Sequence, residues 1–336
     1  VRLQPPLGLC SATLNNVPEL PEVETIRRQL DPLLRDCSVQ QVWAFDSPKF
    51  TSAHQALGSR LQGVRRRGKY LLIDLDPAPD PSPAPALAPA PAQHPDRNHV
   101  VESSPGVAAR ELIVHLGMTG RLSVSSTGSE HPSTTVSSLT SWEQSTRVES
   151  SSSQRHLRAV WVLDDGRSLF FDDVRRFGRI AVVAAGEHQS LATLAALGPE
   201  PFDDDFTADY LRQQINSTKR SVKAQLLSQR VVAGLGNIYV DEALWRAQVH
   251  PAAKRITKVQ SMKLRRDIQE VIAVAINNGG TTLRNYRDAE GSAGSNQHHL
   301  QCYGRAGQDC LRCGTTLRRI LIDARATVFC PRCQRR

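Results

Sequence analysis

The sequence contains no run of about 18 apolar residues, so nothing in it reads as a membrane-spanning helix and no membrane partner is expected. It is short of acidic residues, with 33 against 42 lysines and arginines, which leaves a formal charge of +9. Such an imbalance suits a polyanionic partner, because phosphate contacts supply most non-specific affinity for nucleic acid. Charge alone would fit an RNA or another anionic surface equally well. Cysteines are few, seven in 336 residues, and four of them form two C-x-x-C pairs near the end. Without a secretory signal these pairs read as metal ligands rather than disulfides, leaving Cys10, Cys37 and Cys302 as unpaired thiols. A targeting pattern is also missing from Val1–Asn16. That stretch has one basic residue, Arg2, an apolar segment broken by Pro5, Pro6 and Gly8, and no clear small-residue cleavage site.

A chain of this length has room for two ordinary domains with cores of their own. Ile26, Leu30, Leu33 and Leu34 fall at helical spacing within 18–36. Short β-rich runs follow at Val39–Phe45, Lys69–Leu75, Glu111–Leu116, Ala159–Leu163, Ser168–Phe171 and Arg179–Val183, which together suggest a β-sandwich or barrel. Residues 77–105 hold nine of the 20 prolines, and residues 123–153 hold 18 serines and threonines. Both read as disordered insertions between strands. From about residue 190 the pattern turns helical, with candidates at Leu191–Leu197, Ala208–Asn216, Val222–Gln229, Ile238–Ala247 and Lys258–Asn278. The expected fold is therefore α+β: a β-sandwich domain over 18–189, a helical domain over 190–300 and a cysteine-bearing finger over 301–336.

The finger carries the strongest local signal. Cys310-x2-Cys313-x16-Cys330-x2-Cys333 has the spacing of a four-cysteine site for one structural zinc, with a β-hairpin between the two knuckles. A redox dithiol is the weaker reading, because two matched pairs are present. Upstream, the glycine-rich turn at Gly234-Leu235-Gly236 opens a helix at Asn237, where backbone N–H groups can bind phosphate. Lys219, Arg220 and Lys223 add positive charge just before it. Gly117-Met118 and Arg175-Arg176-Phe177 read as exposed loop tips.

Several motifs occur together and in one order: Pro18-Glu19-Leu20-Pro21-Glu22-Val23-Glu24-Thr25, Arg65-Arg66-Arg67-Gly68-Lys69-Tyr70-Leu71-Leu72, His115-Leu116-Gly117-Met118-Thr119-Gly120, Asp173-Val174-Arg175-Arg176-Phe177-Gly178, Gly234-Leu235-Gly236-Asn237-Ile238-Tyr239 and Arg325-Ala326-Thr327-Val328-Phe329-Cys330. The set resembles the bacterial formamidopyrimidine-DNA glycosylase family over residues 18–333, apart from the two insertions. The resemblance implies a helix–two-turn–helix domain, a zinc finger and a bifunctional DNA glycosylase and apurinic/apyrimidinic lyase. Its partner would be double-stranded DNA carrying oxidised purines, lying between the two domains, and the enzyme would be a bacterial, cytoplasmic, nucleoid-associated monomer. The nucleophile implied is the secondary amine of Pro18, with Glu19 as the acid for sugar ring opening and Glu22 in support. Lys69 would serve as proton donor in β-elimination, and Arg325 would contact the flanking phosphates and assist δ-elimination. Met118, Arg175 and Phe177 would fill the vacated duplex, and His156, Asn237, Lys219, Arg220 and Lys223 would contact DNA. The loop Asp288–His299 corresponds to the damaged-base recognition loop and, being rich in glycine and serine, is expected to act as a flexible lid.

Two departures stand out: Val174 replaces a proline, and Thr218 replaces a lysine. Inside a chain proline nitrogen is a tertiary amide without N–H. The chemistry therefore requires residues 1–17 to be absent, and the expectation is a mis-assigned start, with Val17 as the true initiating position. Two alternatives stay open. One is an endonuclease VIII-like enzyme for oxidised pyrimidines, a branch that typically has glycine where Leu20 stands. The other is a catalytically silent DNA-binding protein, if residues 1–17 are retained.

Overall fold

The computed structural model describes residues 17–77, 109–125, 154–283 and 286–336. The two expected insertions lie outside these residues, except for position 77 and positions 123–125. There the expectation is corrected: β5 (Gly120–Val124) continues through 123 and 124.

The chain enters α1 (Leu20–Leu34), whose Val23, Ile26, Leu30 and Leu34 are fully buried against the sheets. Two four-stranded antiparallel sheets follow. One has the order β1 (Val39–Ala44), β6 (Leu157–Leu163), β7 (Ser168–Asp173) and β5. The other has the order β2 (Ser59–Arg67), β3 (Tyr70–Pro77), β4 (Arg110–His115) and β8 (Arg179–Ala184). Alternation along β3 explains the layering. Leu71, Ile73 and Leu75 point into the shared core with Trp161 and Phe171, while Leu72 points outward with Ile113 and is covered by Leu191 and Leu194. The strand β2 is not among the strands expected from the sequence, because Arg65, Arg66 and Arg67 mask its apolar face. Each arginine has a carboxylate partner brought from elsewhere: Asp74 and Glu111, Glu24 and Glu200, and Glu200 respectively.

The expected helix at Leu191–Leu197 is a single turn, α2 (Ala192–Ala195), because Gly198-Pro199 follows at once. Beyond it lie α3 (Ala208–Asn216), α4 (Val222–Leu227), α5 (Asn237–Arg246) and α6 (Lys258–Asn277). Thr207, Ser221 and Thr257 cap α3, α4 and α6 by accepting backbone N–H groups, each cap contributing about 1 kcal/mol. Leu226, Ile238, Leu244, Leu264, Ile268 and Ile272 form the helical core, and Leu20 at the start of α1 belongs to it. Helix α1 thus begins in one domain's core and ends in the other's. The finger is the hairpin β9 (Arg318–Ile322) and β10 (Arg325–Phe329).

Candidate active site and nucleic-acid interface

Helix α1 delivers Pro18, Glu19 and Glu22 to the junction between the domains. Glu19 is 3% exposed, and its carboxylate receives the Ile238 N–H at 3.0 Å and the Tyr239 N–H at 3.5 Å, at the start of α5. Those donors are the unpaired N–H groups of a helix N-terminus, which favour negative charge. Burial nevertheless outweighs them and raises the Glu19 carboxyl from 4.5 to about 7, with the Lys69 ammonium opposing the rise and Glu22 adding to it. Half of Glu19 is therefore protonated near neutral pH, as a general acid requires. The close fit depends on Gly236: a Cβ there would lie 2.2 Å from the Glu19 carboxyl carbon.

Glu22 is fully buried and raised above its ordinary value by burial, although Tyr239 Oη–H and the Thr281 N–H (2.7 Å) donate to it. Tyr239, Thr281 and Asn296 form a continuous buried chain behind it, with Tyr239 Oη to Thr281 Oγ1 at 2.9 Å and Asn296 Nδ2 to Thr281 Oγ1 at 2.8 Å. The sequence offers no sign of this chain, since its members lie on three separate segments. The 288–299 loop is anchored to it, and Asp288 Oδ2 and the Ala289 N–H bond the amide of Gln29 on α1 at 2.9 Å each.

Lys69 sits in the two-residue turn between β2 and β3 rather than on a strand. Burial lowers its ammonium below the ordinary value, and Arg325 acts in the same direction, while Glu19 and Glu22 oppose both. Its turn is held by Glu200, which accepts the Gly68 N–H at 2.6 Å. Beside Lys69 a cavity of about 470 Å³ opens, lined by His115, Leu197 and Arg230 among others. Burial, with Lys69 adding, brings His115 down to about 4. The ring is thus neutral at pH 7; its Nδ1 accepts the Gly117 N–H at 3.2 Å, which leaves the proton on Nε2.

The two loop tips are locked together by Asp173. Thr119 Oγ1 and the Gly178 N–H (2.7 Å) donate to its carboxylate, and the Arg175 N–H donates to Thr119 Oγ1 at 3.0 Å. Gly117 (φ +64) allows the approach, since a Cβ there would meet the Gly178 nitrogen at 2.5 Å. Arg176 also adopts φ +56, a left-handed conformation, and its neighbours Arg175 and Phe177 are exposed. Arg175 stacks on Phe177 at 4.8 Å, and Phe177 is 50% exposed. Met118 is half-buried beside them. His156 is half-buried in the 3-10 turn before β6.

In the helical domain Lys219 and Arg220 are exposed, and Arg220 pairs with Asp323 at 2.9 Å. Lys223 corrects an expectation. Its side chain is fully buried, with Nζ 2.6 Å from Asp241 Oδ1, so it has no surface from which to contact DNA. A cation run looks uniform in sequence, but the α4 helix turns position 223 inward. Asn237 heads α5 and donates its amide to the Ala326 carbonyl at 3.2 Å. Arg325 is exposed and follows the hairpin turn of Asp323 and Ala324, both left-handed.

The sulfurs of Cys310, Cys313, Cys330 and Cys333 all lie within 4.8 Å of one another. Tetrahedral Zn–S bonds of about 2.3 Å would place sulfurs about 3.8 Å apart, so the cluster fits a zinc ion. Trp245 Nε1 donates to Cys310 Sγ at 3.4 Å and docks the finger on α5. Cys37 and Cys302 are buried and unpaired, and Cys10 lies outside the described residues.

Comparison with known proteins places these features in one family. Residues 17–180 match the formamidopyrimidine-DNA glycosylase N-terminal domain, residues 197–287 the H2TH domain of the same enzymes, and residues 307–336 the zinc finger found in FPG and IleRS. The formamidopyrimidine-DNA glycosylase of Deinococcus radiodurans is 40% identical over 95% of this chain and 97% of its own. The crystal structure of the MutM (Fpg) protein of Thermus thermophilus is 36% identical, with a TM-score of 0.72 over 94% of this chain and 98% of its own. A Lactococcus lactis FPG mutant in complex with a Fapy-dG containing DNA is 29% identical, with a TM-score of 0.72 over 95% and 100% of the two chains.

Proposed function

The chain belongs to the formamidopyrimidine-DNA glycosylase family, and on that premise we propose how its own residues divide the work of excising an oxidised purine and cutting the strand. The protein is a base-excision DNA glycosylase and AP lyase acting on oxidised purines in DNA, with one structural zinc. Among the described residues no helix is long and apolar enough to cross a membrane. Action as a single chain on nucleoid DNA in the bacterial cytoplasm belongs to the proposal.

The nitrogen of Pro18 attacks C1′ of the damaged nucleotide. As the N–C1′ bond forms, Glu19 gives its proton to the sugar ring oxygen and the C1′–O bond breaks; the nitrogen's own proton then passes to the base as its lone pair expels it and the C1′–base bond breaks. The proline nitrogen and C1′ then share an iminium, which acidifies the C2′ proton. Loss of that proton to water breaks the C3′–O bond and expels the 3′ phosphate with Lys69 as proton donor, and loss of the C4′ proton to water then breaks the C5′–O bond and expels the 5′ phosphate with Arg325 holding it. Pro18 can act only as a secondary amine, so the active form begins at Pro18 and lacks residues 1–17. Met118, Arg175 and Phe177 occupy the space of the flipped nucleotide, while His156, Asn237, Lys219 and Arg220 hold phosphates. Zinc, when bound, keeps the finger folded and enters no step.

The observation that carries this reading is the buried Glu19 carboxylate next to Pro18, held at 3.0 Å by the Ile238 N–H at the start of α5 and raised by burial against the pull of Lys69. The test is borohydride trapping on a duplex with one 8-oxoguanine opposite cytosine, using chains that begin at Val1 and at Pro18. A covalent adduct from the Pro18 form alone is expected. An adduct from the Val1 form, with its leader verified by intact mass, would assign the nucleophile to another amine.

A further inference from the structure

Lys223 and Asp241 form a buried ion pair that no step above uses. They project from α4 and α5 onto the finger. In the hairpin β10 has β9 on one side only, so the backbone groups of its other edge need partners from elsewhere. Residues two apart on a strand face the same edge, and Ala326 and Val328 are such a pair. The Ala326 carbonyl accepts Lys223 Nζ at 3.2 Å and Asn237 Nδ2 at 3.2 Å. The Val328 N–H donates to Asp241 Oδ2 at 3.0 Å. Three side chains of the helical domain thus line the open edge of β10 as a neighbouring strand would.

Both oxygens of Asp241 are occupied, one by the ammonium and one by the hairpin backbone. Burying two charges is costly unless every remaining hydrogen-bonding position is filled, so such a pair favours one register of the hairpin over its neighbours. A slip of β10 by one residue would present Val328 and Ala326 to the wrong edge and leave the pair incomplete. Arg325 immediately precedes Ala326. Helix α5, which supplies Asn237 and Asp241, also holds the Glu19 carboxylate with its first turn. The zinc cysteine Cys330 closes the other end of the strand. The surface contact at the tip, Arg220 to Asp323, is exposed on both sides and contributes little.

We propose that Lys223 and Asp241, together with Asn237, are positioning residues that set the hairpin's register on α5 and so aim Arg325 at the phosphate it serves, a task separate from the folding of the finger around zinc. This rests on the role given to Arg325 above.

The test uses the active chain on a duplex with a single abasic site. The variants are Asp241→Asn, the paired change Lys223→Met with Asp241→Leu, which removes both charges and keeps the site filled, and Arg325→Ala. Three quantities are read: the ratio of β- to β,δ-eliminated ends in a single turnover, borohydride adduct yield, and zinc per chain. The clamp variants are expected to keep zinc and adduct formation while the ratio shifts toward β-elimination by roughly tenfold or more, since small misplacements of a catalytic group have effects of that order. Adding Arg325→Ala to them should change the ratio no further. An unchanged ratio in the paired variant while Arg325→Ala alone shifts it would overturn the proposal and leave the assigned role of Arg325 intact. So would loss of zinc, or equal effects in the presence and absence of Arg325. If Arg325→Ala itself leaves the ratio unchanged, the role of Arg325 falls and takes the proposal with it.

Discussion

Glu19→Gln should make the protein more stable and nearly inactive at once, with a gain in stability that grows with pH. The folded carboxyl titrates near 7 and the unfolded one near 4.5. Between these values the native state binds more protons than the unfolded state, so stability falls as pH rises through 4.5 to 7 and levels off above. At about 1.4 kcal/mol per pH unit the full cost of ionising Glu19 in place is about 3 kcal/mol, of which less than half is present at pH 5.5. Glutamine has nearly the same shape and its carbonyl oxygen can still accept the Ile238 N–H, but it carries no such cost. Part of the gain is offset because Glu19 supports the Lys69 charge, which burial already disfavours. The variant should therefore exceed the wild type by about 1–3 kcal/mol at pH 8, and by about 2 kcal/mol less at pH 5.5. Loss of the acid should reduce base excision by about 10²–10⁴-fold. Urea denaturation at the two pH values, at constant salt, reads the first effect, and single-turnover excision reads the second. A difference in stability that is the same at both pH values would refute the assigned burial cost. A variant with wild-type excision would refute the role of the acid.

Removing the neighbouring cation by Lys69→Met takes away what holds Glu19 down, so the alkaline limb of the excision profile should move above 7 while the rate falls; a limb at lower pH would contradict the charge arrangement. Gly236→Ala drives a methyl into the Glu19 carboxyl and should cost about 1–3 kcal/mol and abolish adduct formation, checked by thermal denaturation and trapping. Arg175→Ala lies on an exposed tip, so stability should stay within about 0.5 kcal/mol while excision from duplex drops by about tenfold or more; equal activity on duplex would remove Arg175 from base flipping. Chelation of zinc should unfold the finger and abolish DNA binding while the β-sandwich circular dichroism persists, and full cleavage by metal-free protein would contradict the structural role of the ion.

Much of the site could be read from short segments because each of its parts is local. Cysteine spacing sets a four-sulfur cluster, Gly234 and Gly236 mark the turn that opens α5, and the 3.6-residue period of Ile26, Leu30 and Leu34 marks the face α1 buries. The basic stretches were harder. Arg65–Arg67 concealed a strand and Lys223 passed for a surface cation, since both depend on carboxylates many residues away.

What the sequence by itself determined is the inventory and its order: the Pro18–Glu19–Glu22 start, Lys69 beside an apolar strand, the Arg175–Phe177 tip, and the zinc finger with Arg325. Cysteine spacing suffices for the finger and the resemblance of short motifs for the others, because each is carried by residues a few positions apart along the chain. The tertiary structure alone decided which charges are buried and against what. It placed Glu19 on the first turn of α5, raised its carboxyl to about 7, and turned Lys223 inward to the edge of β10. Solvation and the identity of a partner depend on chain segments far apart in sequence, so they exist only once the two domains have packed.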